Sequence, residues 1–91
     1  SELPTEFALK QNYPNPFNPT TNIEFSMRNA QFASLKVYDI LGKEVATLVN
    51  EKLSAGTYSV NWNAAEYPSG VYFYKLITDG YSETKRMLLL K

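Results

Sequence analysis

The chain has 91 residues, nine basic and nine acidic side chains for a formal net charge of +0, and neither histidine nor cysteine. A chain this short makes one domain that buries a little over ~60% of its unfolded surface, leaving little volume for an active-site cleft. Balanced charge gives no steering toward nucleic acid. The missing residue types exclude a disulfide framework, a thiolate zinc site and the usual general base.

The first residues, Ser1-Glu2-Leu3-Pro4-Thr5, lack the charged and apolar regions of a signal peptide. They are expected to be the end of a linker from an upstream domain, with the linker covering residues 1–8 and the domain residues 9–91. A first strand is expected near 7–11, followed by the most distinctive stretch of the chain, Asn12-Tyr13-Pro14-Asn15-Pro16-Phe17-Asn18-Pro19-Thr20-Thr21. Each proline fixes its own φ and drives the preceding residue out of the α region, so the segment is extended and stiff, with Tyr13 and Phe17 as its anchors. The asparagines can bond backbone groups that proline leaves without a ladder partner.

Turn signals at Arg28-Asn29-Ala30, Leu41-Gly42, Ser54-Ala55-Gly56, Pro68-Ser69-Gly70 and Asp79-Gly80 divide the remainder into strands near 21–28, 33–40, 43–49, 56–63, 70–78 and 81–90. Between 44 and 53 the apolar residues Val45, Leu48, Val49 and Leu53 also fit a helical stripe, but Leu41-Gly42 favours a strand folded back on Val37 and Tyr38. Tyr58, Val60 and Trp62 alternate with Ser59, Asn61 and Asn63, which predicts a half-buried strand with Trp62 in the core. Tyr13, Tyr67 and Tyr81 are less constrained and could lie exposed.

Asp79-Gly80 predicts a type I′ hairpin with φ above zero at both residues. It sets Gly70, Tyr72, Tyr74 and Leu76 opposite Leu89, Met87, Lys85 and Glu83 on one side of the sheet. The other side carries Val71, Phe73, Lys75 and Ile77 beside Leu88, Arg86, Thr84 and Ser82. Both sides are substantially apolar, and only one can cover the core. Lys75 and Arg86 border an apolar strip of Val71, Phe73, Leu88 and Leu90, with the last strand ending free at Lys91; the surface and its edge could be gripped by a partner through strand addition. The fold class is all-β, an immunoglobulin-like antiparallel sandwich of about seven strands.

QNYPNPFNPTT, VYDILGKEV at 37–45, AGTYSVNW at 55–62, SGVYFYKL at 69–76 and TKRMLLLK at 84–91 occur in an order and spacing that resemble the type A C-terminal sorting domain, or Por secretion tail, of type IX secretion substrates. The strand pattern also resembles the immunoglobulin-like domain of flagellar hook-capping proteins. The first resemblance implies a domain that is recognised rather than one that catalyses: a sorting signal that takes an upstream cargo domain through the type IX machinery to the cell surface or the extracellular space. It also implies removal by a surface sortase-like peptidase. Its motif positions fall on Gly70 and Tyr72, on Lys85, Arg86 and Lys91, and on the loop Pro14, Asn15, Pro16, Phe17, Asn18 and Pro19. A chain stopping at Lys91 after three leucines matches where that family ends. No cofactor, metal, nucleic acid or membrane insertion is expected, and oligomeric state is left open. The alternative is a cell-attachment or carbohydrate-binding module of a secreted multidomain hydrolase.

Overall fold

Period-two alternation runs through most of the chain, and one set of apolar residues is buried throughout: Ile23, Phe25 and Met27, then Ala33, Leu35 and Val37, then Tyr72, Tyr74 and Leu76, then Met87 and Leu89. In the computed structural model, which describes residues 3–91, these lie on seven strands: β1 (Ala8–Leu9), β2 (Thr20–Met27), β3 (Gln31–Tyr38), β4 (Glu44–Leu53), β5 (Gly56–Asn63), β6 (Gly70–Ile77) and β7 (Ser82–Leu89). They form a three-stranded sheet in the order β1-β2-β5 and a four-stranded sheet in the order β4-β3-β6-β7, every pair antiparallel. Successive strands change sheets between β2 and β3, β4 and β5, and β5 and β6, as in an immunoglobulin-like sandwich. The buried side chains of both inner faces form one core.

The hairpin register is the expected one, with Gly70 opposite Leu89, Tyr72 opposite Met87 and Phe73 opposite Arg86. The turn differs. Neither Asp79 nor Gly80 has a positive φ, so the type I′ geometry does not form. Instead the Thr78 N–H donates to the Tyr81 carbonyl at 2.8 Å, and the Asp79 N–H is held by the Gln31 side chain at 2.9 Å. Loop length and the buried face fix the register, and a tertiary contact decides the turn.

β4 is a strand, as expected, and continues to Leu53 rather than stopping near Val49. The helical stripe in its sequence has a specific origin. Lys36 pairs with Thr47 and Leu35 with Val49, skipping Leu48; Val37 pairs with Ala46 and Tyr38 with Glu44, skipping Val45. Each skipped residue is a bulge that shifts the phase of alternation, and two such shifts imitate a helical period. The β3–β4 turn is tied by Asp39, whose carboxylate accepts the Leu41 and Lys43 N–H groups at 2.9 Å, while Gly42 takes φ 85°.

β1 is shorter than expected: beyond Leu9 the contact with β2 is reduced to the Lys10 N–H on the Glu24 carbonyl at 2.9 Å and a bridge at Tyr13, where the proline-rich segment begins. That segment is a strap. Tyr13 bridges to Asn22 of β2, and Phe17 bridges in parallel to Leu89 of β7, so the strap runs from one sheet to the outer edge of the other. All three of its Xaa–Pro bonds are cis. Phe17 is the buried anchor at 2% exposure, whereas Tyr13 anchors only through its backbone, its ring 80% exposed. Beneath the strap the Asn12 amide donates to Thr21 Oγ1 at 2.9 Å and to the Pro14 carbonyl at 3.1 Å. Tyr74 Oη accepts the Asn12 N–H at 2.8 Å and donates to the Lys10 carbonyl at 2.7 Å. Burial pushes that phenol up to about 12.

Candidate functional site: the outward face of the four-stranded sheet

The two outer faces differ sharply. On the three-stranded sheet the outward positions are Thr20, Asn22, Glu24 and Ser26 beside Asn63, Asn61, Ser59 and Thr57, with Asn22 bonded to Asn61 and Ser59. That face is polar and nearly uncharged. On the four-stranded sheet the outward positions of β3 are Phe32, Ser34, Lys36 and Tyr38, those of β6 are Val71, Phe73, Lys75 and Ile77, and those of β7 are Ser82, Thr84, Arg86 and Leu88. Phe32 is 51% and Ile77 39% exposed, which makes this face the unusual one.

Of the residues singled out by sequence, Lys75 and Arg86 lie on this face. Asn15 and Pro16 of the strap meet it, lining a shallow groove of about 250 Å³ with Val71, Arg86, Met87 and Leu88. The groove therefore joins the proline block to the terminal hairpin, two motifs at opposite ends of the chain. The edge of β7 beside it is occupied. Leu88 N–H donates to Asn15 Oδ1, Phe17 N–H donates to the Leu88 carbonyl and Leu90 N–H donates to the Phe17 carbonyl, each at 3.0 Å, and Gln11 donates to the Arg86 carbonyl at 2.7 Å. The expected free edge for strand addition is thus closed from Arg86 to Leu90. Lys91 is not a free end either: its N–H donates to Ser69 Oγ at 3.0 Å and its ammonium to the Ala65 carbonyl at 2.6 Å.

The other candidates sit elsewhere. Tyr72 is buried at 4% exposure and its hydroxyl donates to the Pro68 carbonyl at 2.7 Å, the tyrosine-corner arrangement of this fold. Burial raises its pKa. Gly70 precedes it with φ 151°, a conformation that favours glycine. Lys85 lies on the inner side of β7 and pairs with Glu83 at 3.2 Å. Glu83 also accepts the Tyr81 hydroxyl, which holds its carboxyl below the usual range, while burial pushes Tyr81 up to about 12. Asn18 is exposed, and Pro19 caps β5 through its carbonyl, which accepts the Ala64 N–H at 2.8 Å.

Trp62 is a core plug, 5% exposed, with Tyr67 and Tyr72 at ring distances of 5.5 Å and Phe17 at 5.8 Å. Tyr67 is half-buried with its hydroxyl on the Val45 carbonyl at 2.8 Å, and Tyr81 is half-buried too, so of the three tyrosines expected to be loose only Tyr13 is exposed. This aromatic group packs the sandwich and forms no stacking platform for a sugar. Among the described residues no group of three or more His, Cys, Asp or Glu could hold a metal ion, and no helix is long and apolar enough to cross a membrane.

One residue on the outward face escaped the sequence reading. Lys36 stands directly opposite Lys75. The inward alternation of Ala33, Leu35 and Val37 is the signal that puts Lys36 outside, but its neighbour on β6 is visible only once the strands are paired.

The sandwich thus has one polar face and one basic, partly apolar face. The family profile described as "Secretion system C-terminal sorting domain" matches residues 11–90, and the chain belongs to that family. No curated protein matches it. The domain is a C-terminal sorting signal for type IX secretion, which marks proteins for export to the cell surface or extracellular space, and such sorting tails are in general not catalytic.

Proposed function

We propose that the secretion machinery reads this domain in its folded state, on the outward face of the four-stranded sheet and the adjoining groove, with Lys75, Arg86, Asn15 and Pro16 as contact residues. Gly70, Tyr72 and Phe17 hold that surface in shape, and Lys91 fastens the end of the last strand, while Lys85 pairs with Glu83 along it. After export a sortase-like peptidase releases the upstream cargo domain by cutting ahead of β1, and the domain itself hydrolyses nothing.

The supporting observation is the closed edge of β7: with Gln11, Asn15 and Phe17 on its backbone groups, the terminal strand offers side chains for recognition rather than an unpaired ladder. The test is a secreted reporter fused ahead of residues 1–91 in a type IX secretor. Export with the domain and retention without it is the expected result, and a shorter exported reporter reveals the cut. Export that survives unfolding of the domain, by Phe17→Asp for instance, would overturn reading in the folded state.

A further inference from the structure

The chain is neutral overall, yet its charge is segregated. Pairing of β4, β3, β6 and β7 sets Lys52, Lys36, Lys75 and Arg86 on the outward face with Glu44 as its carboxylate. Lys36 and Lys75 are directly opposed, a placement that costs stability when nothing lies between them. Arg86 faces Phe73 and Lys75 faces Thr84, so Arg86 continues the line diagonally onto β7. Lys36 is partly answered by Glu44 at 3.3 Å. Thr47 and then Lys36 hold the Glu44 carboxyl below its usual range. Lys75 and Arg86 have no ion-pair partner among the described residues.

We infer that the partner segment held on this face is acidic and belongs to a protein of the export machinery, its carboxylates meeting the cationic line of Lys36, Lys75 and Arg86. This rests on the outward face being the recognition surface. Charge complementarity selects an anion, and the shape of the line selects which kind. Three cations on three neighbouring strands span about 10 Å, two strand spacings. The row of Arg86 continues through Phe73 to Tyr38, and Val71 and Leu88 form the next row along the sheet. A single phosphate or lipid headgroup is held by donors converging on one point, and the shallow groove beside Arg86 is lined by no second cation. Adjacent cations bordered along one side by apolar side chains fit an extended peptide whose neighbouring carboxylates are flanked by apolar residues. Such charge complementarity serves orientation and rate of encounter as much as affinity.

The experiment uses the reporter fusion in a type IX secretor. Lys36→Gln, Lys75→Gln and Arg86→Gln together are expected to cut export at least tenfold with the melting temperature unchanged or raised. A control carrying the same charge change off the face, Lys10→Gln, Arg28→Gln and Lys43→Gln, is expected to export normally. If the unaltered domain fails to export its reporter, the sorting role itself falls. If it exports and the face variant exports equally well, or the control loses as much, the cationic line is overturned while the sorting role stands. A photo-crosslinking residue at Phe73 in the otherwise unaltered fusion gives a second measurement. A crosslinked peptide with two or more Asp or Glu residues supports the inference, and a peptide without them, or lipopolysaccharide, overturns it.

Discussion

Phe17 and Leu89 lie side by side as a one-residue parallel bridge, with the Phe17 ring buried against Trp62 at 5.8 Å. The proline-rich strap is thereby welded to the strand that ends the chain. Phe17→Ala removes a fully buried aromatic and is expected to cost about 3 to 5 kcal/mol, a large share of the stability of so small a domain. Asn15→Ala removes only the acceptor for the Leu88 N–H, an exposed contact, and is expected to cost about 0.5 to 1.5 kcal/mol. Urea unfolding of the two variants checks the ratio; equal losses would mean that the ring is not the anchor.

Much of this was legible locally. The alternation at Tyr58, Val60 and Trp62 and the two-residue span at Asp79-Gly80 are signals within a few residues, and they placed a core strand and the register of the last hairpin correctly. Val45 and Leu48 were harder, since a bulge breaks the period that identifies a strand and leaves an imitation of a helix. The closed edge of β7 and the Lys36–Lys75 pairing join residues far apart in the chain. No local pattern records them.

Tyr74 and Tyr81 make stability sensitive to base. Both phenols are pushed up to about 12 in the folded state, chiefly by burial, against about 10 for an unfolded tyrosine. The folded protein holds these protons longer, so their contribution is fully present below pH ~10 and is lost as pH rises toward ~12. The unfolding midpoint in urea is expected to fall across that window, and Tyr74→Phe and Tyr81→Phe each to flatten the fall. A profile identical in the double variant would rule these groups out as its source.

Tyr74→Phe also carries a cost at neutral pH. Its hydroxyl serves the Asn12 N–H and the Lys10 carbonyl, and removing it leaves groups under the strap without their partner, at about 1 to 3 kcal/mol. Amide hydrogen exchange is expected to quicken at Asn12 more than at strand positions such as Ile23.

Gly70 and Tyr72 are motif positions whose structural work is plain, so their variants test whether they also contact the machinery. No heavy atom lies within 4 Å of a Cβ added at Gly70, yet its φ of 151° disfavours any side chain, so Gly70→Ala is expected to cost about 1 to 3 kcal/mol through the backbone alone. Tyr72→Phe, which frees the Pro68 carbonyl, is expected to cost about 0.5 to 1.5 kcal/mol. Export of both is expected to follow the folded fraction. Export lost from a fully folded variant would give that residue a direct contact.

Trp62 decides between the sorting domain and a carbohydrate module. At 5% exposure with three aromatic rings within 6 Å, its indole has no face to offer a sugar, and the outward residues of its own strand, Ser59, Asn61 and Asn63, are small and polar. Trp62→Ala is expected to cost about 3 to 5 kcal/mol, enough to unfold much of the population at 37 °C. The unaltered domain is expected not to co-sediment with insoluble glycan. A variant that keeps its fold while abolishing measurable glycan binding would return the aromatic group to a binding role. Loss of fold in a domain that never bound glycan leaves Trp62 as the plug that lets the two sheets close.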